Sequence, residues 1–244
     1  DVARARAIAA SALESQPDGS WLDPAAAAAV LSCFGIPSVA AREVTDAAQA
    51  GLAARELGFP VALKASAPAL VHKSDVGGVA LDLHDEASVA AAFTAMSRSV
   101  GPAMTGAVVQ PMVAPGVELI VGITHDPTFG PLVLFGLGGV TAELLADRAL
   151  RLVPVTDEDA HQLVRSLRGS QLLFGYRGRP AVNVAAVEDL VLRVGALADE
   201  LQEIVEMDLN PVVASAEGVV AIDVKMRIAP LRPQAPADMR RMRT

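Results

Sequence analysis

The stretch from Gly58 to Val79, GFPVALKASAPALVHKSDVGGV, constrains this chain more than any other. Its apolar run from Pro60 to Leu63 reads as a strand that delivers one lysine, Lys64, at its end. A loop carrying His72, Lys73, Ser74 and Asp75 follows and closes on Gly77-Gly78, before a second strand from Val79 to Leu83. A lysine is a compact, mobile positive charge suited to phosphate oxygens. Paired glycines let backbone N–H groups approach an anion with no Cβ in the way. A histidine between these two features is a candidate proton or phosphoryl acceptor. Each residue also has a plainer reading. Lys64 could snorkel to solvent, His72 could bond nearby backbone, and Ser74-Asp75 and Gly77-Gly78 could be turn formers. Taken together they read as the phosphate end of a nucleotide site, although no GxxxxGK[ST] occurs in the chain.

Composition narrows the classes. With 244 residues the chain suffices for one large domain or two lobes. Hydrophobic residues at 52% against 20% charged exclude disorder. A net charge of −8 argues against general nucleic-acid binding, and 3% aromatics leave no base-stacking platform. The lone cysteine, Cys33, excludes an internal disulfide and sits in an apolar helix pattern, as a buried thiol would. No apolar run reaches membrane-spanning length and no signal peptide is evident, so a cytoplasmic location is expected. The first residue, Asp1, suggests a mature piece or a fragment of something longer.

Along the chain, residues 1 to about 15 read as a helix that Pro17-Asp18-Gly19 breaks. Asp23 caps a helix with Pro24 at its first position. A strand is expected over Ser38–Glu43, and a helix capped by Thr45 that ends at Gly58. Asp85 caps an Ala-rich helix to about Val100. Strands follow over Ala107–Val113, Val117–Thr124 and Leu132–Leu137, then a short helix Val140–Ala146 and a strand Ala149–Val153. Thr156 opens a helix, and another spans about Val184–Glu203. The strands Ile204–Leu209 and Val219–Val224 are expected to pair, with Asn210-Pro211 at the turn. The Pro- and Arg-rich residues 231–244 read as a linker or tail. The expected division is a helical segment over 1–20, a first lobe over 21–110 and a second over 111–230.

Three further constellations carry chemistry. In Glu206-Met-Asp208-Leu-Asn210-Pro211, strand alternation puts Glu206, Asp208 and Asn210 on one face, and a paired strand brings Asp223 toward them. Such oxygens are what Mg²⁺ accepts, with water and phosphates completing its octahedron; the plainer reading is a strand with a solvated polar side. Gln110-Pro111-Met112-Val113, with Glu118 beyond, interrupts a strand pattern with proline. It could present backbone groups to an adenine edge and a carboxylate to ribose, or simply be a kinked crossing strand. Phe135-Gly-Leu-Gly-Gly139 fails the GxGxxG spacing, which excludes a Rossmann cofactor site. A glycine loop admitting another chain's loop or a phosphorylated side chain fits it better.

In this order GFPVALK, VHKSDVGGV, VQPM, GVELIVGITHDPTFGP, FGLGGVTAEL and EMDLNP resemble the ATP-grasp domain of ADP-forming acyl-CoA synthetases, over about Trp21 to Arg227. A more distant likeness is to the nucleotide-binding subunit of succinyl-CoA synthetase. The resemblance implies an α+β (α/β) ATP-grasp fold, two α+β lobes with Mg-ATP or ADP bound between them. It implies Lys64 on the α/β phosphates, the His72–Gly78 loop (with Ser74, Gly77 and Gly78) over the phosphates, and Gln110, Met112 and Val113 on adenine. Glu118 would take ribose and Asn210 and Asp223 Mg²⁺, with Asp208 beside them, and His72 would be a relaying phosphohistidine. Where the family has Asp-x-Arg this chain has Asp223-Val224-Lys225, which keeps the charge and loses the bidentate fork.

The implied reaction is acyl-CoA + ADP + phosphate to carboxylic acid + CoA + ATP, with CoA-binding and CoA-ligase domains as partners elsewhere in the protein or in another chain. Two rivals stand beside this reading. One is a nucleotide-sensing or non-catalytic domain of a multidomain acyltransferase, and the other a stand-alone ATP-grasp ligase acting through an acyl phosphate.

Overall fold

Side-chain carboxylates start the helices of the first half. In the computed structural model, which describes residues 1–67, 76–139 and 147–230, Asp1 accepts from the Arg4 N–H at the start of α1 (Val2–Ser15). Asp23 does the same for Ala26 at α2 (Pro24–Cys33), where Pro24 occupies the first turn and needs no N–H partner. The cap of α3 (Ala47–Leu57) is Asp46 rather than Thr45: its carboxylate accepts the Gln49 N–H at 2.8 Å, while the Thr45 hydroxyl meets the Gln49 side chain. Gly58, at φ 86°, ends α3 in a conformation that disfavours any side chain. Asp85 and Ser88 form a reciprocal capping box at the start of α4 (Glu86–Val100).

Two compact units result, Val39–Ala114 and the remainder. The smaller carries four antiparallel strands, β2 (Arg42–Val44), β3 (Val61–Ser66), β4 (Val79–Leu83) and β5 (Gly106–Pro111), in the order β2-β5-β3-β4. Helices α3 and α4 bury Ala50, Ala54, Val89, Phe93 and Met96 with Val61, Leu63, Ala65 and Val109 of the sheet. The expected strand over Ser38–Glu43 is shorter and later, because Ser38 makes only a bridge to Ala221 and belongs to the other unit.

The larger unit is built on β1 (Ser20–Trp21), β6 (Val117–Asp126), β7 (Gly130–Leu137), β8 (Arg148–Leu152), β9 (Ile204–Ala214), β10 (Val219–Ala221) and β11 (Val224–Ile228). Their order is β1-β11-β9-β6-β7-β8, with β10 also on β9. Helices α5 (Asp157–Ser166) and α6 (Val184–Glu200) cover one face. There Leu119, Val121, Ile123, Val133, Phe135, Met207 and Leu209 are buried with Leu163, Leu190, Val194 and Leu197. The period-2 alternation then sends Gly122, Thr124, Leu134, Glu206, Asp208 and Lys225 to the opposite face.

Two expectations change. Residues 21–38 belong with the later unit, not with the first lobe, because Trp21 pairs with Arg227 and α2 buries Ala27, Val30 and Leu31 in the larger core. The boundary near 110 moves as well: Pro111 stays opposite Val61 and Met112 N–H bonds Pro60 O, so the chain leaves the smaller unit after Ala114. The expected helix Val140–Ala146 and the tail 231–244 lie outside the described residues.

Candidate functional site

In the smaller unit Lys64 is the fourth of six residues in β3, not its last. It lies between Val79 of β4 and Val108 of β5 and is half-buried. Ala62 pairs with Gln110 and Lys64 with Val108, so Lys64 and Gln110 share the sheet face away from Leu63 and Val109. Gln110 is buried there, a polar side chain in a small sheet that could have taken an apolar one. Met112 and Val113 lie just past β5, and the Met112 N–H donates to Pro60 O at 2.9 Å, so that donor is engaged.

The glycine pair returns to the strand that carries the lysine. The Ala65 N–H donates to Gly78 O at 2.8 Å, one residue past Lys64. Gly77 has φ +71°, and a Cβ there would meet Ser99 Oγ at 3.1 Å. Ser99, in the last turn of α4, donates from Oγ to Val76 O at 2.7 Å and so holds the approach to the pair. Ser99 carried no signal in the sequence, because it is 23 residues from the backbone it fastens. His72 and Ser74 lie outside the described residues.

In the larger unit the acidic constellation sits in the interior of a sheet. Asn210-Pro211 is not a turn between two strands; both residues lie within the eleven-residue β9. The expected partner strand is instead two pieces, β10 opposite Val212–Ala214 and β11 opposite Ile204–Leu209. Asp223 falls in the interval between them. Pro211 has no N–H, and across this interval the Asn210 N–H donates to Asp223 O (3.2 Å) and Ile222 N–H to Pro211 O (2.9 Å). Asp223 is thereby set beside Asn210, as expected from pairing, although by a broken strand.

Asp208 faces Gly122 of β6 on one side and Lys225 of β11 on the other. Burial pushes its carboxyl above the ordinary carboxylate value; Lys225 and the Asn210 side chain pull it back, and Glu206 pushes it further up. A concavity of about 500 Å³ lies over this face, lined by Gly122, Thr124, Arg148, Glu206, Asp208 and Asn210 among others. Gly122 has no room for a side chain, since a Cβ would stand 2.5 Å from Met207 O. Among the described residues no cluster of three His, Cys, Asp or Glu side chains is poised for a metal. The donor set here is oxygen alone, one or two carboxylates and an amide, which suits Mg²⁺ completed by water and phosphate rather than a softer ion.

Glu118, exposed near the start of β6, is approached by the glycine loop. The Gly138 N–H donates to Glu118 O at 2.7 Å, and a Cβ on Gly139 (φ +72°) would come within 2.9 Å of Glu118 Oε2. At Gly138 the constraint is the Glu118 backbone, whose carbonyl carbon would stand 3.0 Å from a Cβ, whereas Gly139 is favoured by its positive φ, since Oε2 is the end of an exposed, flexible side chain. Asp147 was not foreseen. It is buried and accepts the N–H groups of Arg168 (3.0 Å) and Gly169 (2.8 Å), 21 and 22 residues away.

The chain as a whole is similar to several known proteins. The acetate–CoA ligase (ADP-forming) I subunit beta of Pyrococcus furiosus is 37% identical over 202 residues, covering 81% of this chain and 87% of that one. Acetate–CoA ligase (ADP-forming) I of Archaeoglobus fulgidus is 41% identical over 204 residues, but the matching part is only 29% of that longer protein. Among solved structures, the dinucleotide-forming acetyl-coenzyme A synthetase 1 of Ca. Korarchaeum cryptofilum, in complex with coenzyme A, Ca-AMPCP and HgCl+, superposes with a TM-score of 0.84. It is 37% identical and covers 93% of this chain and 100% of that one. A second structure of that enzyme, with coenzyme A and Mg-AMPPCP and its phosphohistidine segment pointing towards the nucleotide-binding site, gives 0.78 at 38% identity, covering 93% and 100% of the two chains. Residues 12–228 match the family described as the ATP-grasp domain, and the chain belongs to that family.

Proposed function

We propose that this chain is the nucleotide-binding part of an ADP-forming acyl-CoA synthetase, serving the reaction acyl-CoA + ADP + phosphate to carboxylic acid + CoA + ATP. The observation that carries this reading is the polar row of β9, where Asp208 and Asn210 stand over a concavity and a break in the neighbouring strand sets Asp223 beside them. In this reading Asn210 and Asp223 hold Mg²⁺, whose charge offsets that of the phosphates. Asp208, its carboxyl raised by burial, is placed to share a proton or hydrogen bond with the reacting group.

The smaller unit contributes Lys64, Ser74, Gly77 and Gly78 to the phosphates and Gln110, Met112 and Val113 to adenine, while Glu118 takes the ribose hydroxyls. Because the Met112 N–H is engaged by Pro60, the adenine donor would be the Val113 N–H. His72 would accept and pass on the phosphoryl group. The partners are CoA-binding and CoA-ligase domains in another chain or elsewhere in the same protein, with a fused acyltransferase as a further possible neighbour. The place of action in this reading is the cytoplasm; among the described residues no helix is long and apolar enough to cross a membrane.

Calorimetric titration of ADP and ATP, with and without Mg²⁺, tests the reading. Metal-dependent binding is expected, and Lys64→Ala should weaken it by about 10- to 100-fold, the worth of one charge-assisted contact. Asp223→Ala should abolish the metal dependence. Failure of the folded wild type to bind either nucleotide would refute the assignment.

A further inference from the structure

The larger unit carries a feature that the nucleotide reading does not use. Between α5 and α6 the chain forms a compact loop whose ends are pinned together, with the Val182 N–H donating to Leu173 O at 3.0 Å and both side chains buried. Within it the Arg179 N–H closes a turn on Tyr176 O at 3.1 Å. Gly175 (φ 92°), Arg177 (φ 49°) and Gly178 (φ 82°) all hold left-handed backbone. A glycine adopts this freely, but an arginine does so rarely, and loops with joined ends that hold such a residue are often functional.

What the loop displays is specific. Phe174 and Tyr176 are each 42% exposed. A guanidinium lies over each ring, Arg165 at 5.1 Å from the Phe174 centroid and Arg177 at 5.4 Å from that of Tyr176. From His161 to Val187 the sequence has four arginines and no Asp or Glu, in a chain of net charge −8. Arg165 is paired with Glu188, whereas Arg168, Arg177 and Arg179 have no ion pair among the described residues. Arg165 commits its N–H groups to Glu188 and His161 O, whereas Arg168, Arg177 and Arg179 are exposed, and a planar guanidinium fork can take a carboxylate two bonds at a time. Exposed Tyr and Arg are also the residue types that dominate binding energy at protein interfaces.

We propose that the loop Phe174–Ala181 is a docking surface for an acidic, carboxylate-bearing segment of a protein partner. A nucleic acid would meet the repulsion of the remaining acidic chain.

Fluorescence anisotropy with a labelled decaglutamate peptide tests this on the 244-residue chain. Decaglutamate should bind, decaserine should not, and added salt should weaken binding. Arg177→Gln with Arg179→Gln should reduce affinity at least tenfold, and Tyr176→Ala severalfold. Titration of Mg-ADP into the same variants should match wild type, which separates failure of the loop from failure of the nucleotide site. Three results would overturn the proposal: no decaglutamate binding by wild type, equal binding by the double variant, or stronger binding of a labelled deca-thymidylate.

Discussion

Asp147 is the single side chain whose removal the structure prices most directly. Its two carboxylate oxygens accept the Arg168 and Gly169 N–H groups at 3.0 and 2.8 Å, and only 8% of the residue is exposed. Asp147→Ala strips both acceptors and leaves two backbone donors where little water reaches. Hydrogen bonds to a charged group contribute about 1.5–3 kcal/mol each, and the carboxylate's own desolvation offsets part of that, so a net loss of about 2–4 kcal/mol is expected. For a unit of this size that is a fall in Tm of roughly 5–15 °C.

The protein contains one tryptophan, Trp21, which lies on β1 of the larger unit, so its fluorescence in a urea titration follows the unit that Asp147 braces. The midpoint should drop by about 1–2 M urea with unchanged slope. Asp147→Asn keeps one acceptor and should lose about half as much. An Asp147→Ala midpoint within 0.2 M of wild type would refute the reasoning, since it would mean that water satisfies both donors at no cost.

Asp208 has the opposite sign. Burial lifts its carboxyl above the ordinary 3.8, so the folded state holds the proton more tightly than the unfolded chain, and stability is lost as pH rises from about that value through the raised one. In metal-free buffer Asp208→Asn should therefore be more stable than wild type at pH 7 and converge with it in acid; a variant less stable at pH 7 would contradict the assignment of burial as the cause. Leu63→Ala, at a fully buried position of β3, should destabilise the smaller unit by about 2–5 kcal/mol, seen as faster amide exchange across β3 and β5. Unchanged protection there would show that this core repacks around the loss.

Much of this was legible in the chain because it depends on near neighbours. The caps at Asp23, Asp85 and Thr156 work over three residues, and the alternation that gathers Glu206, Asp208 and Asn210 on one face works over two. Such contacts are written in spacing alone, and so was the ordered set of motifs that pointed to the ATP-grasp domain. Even locally, competition misled: Asp46 displaced Thr45 as a cap because a carboxylate is a good acceptor for the Gln49 N–H and lay one residue away.

Only the tertiary structure could place Ser99 against Val76, Gly139 against Glu118 or Asp147 under Arg168, because the partners are 21 to 23 residues apart and nothing in their spacing favours one pairing. It also decided that β1 and α2 join the larger unit, by burying Ala27, Val30 and Leu31 beside strands that begin more than 80 residues later. Periodicity states which face of an element is apolar. Which distant element covers that face is settled by the burial and hydrogen bonding of the whole fold.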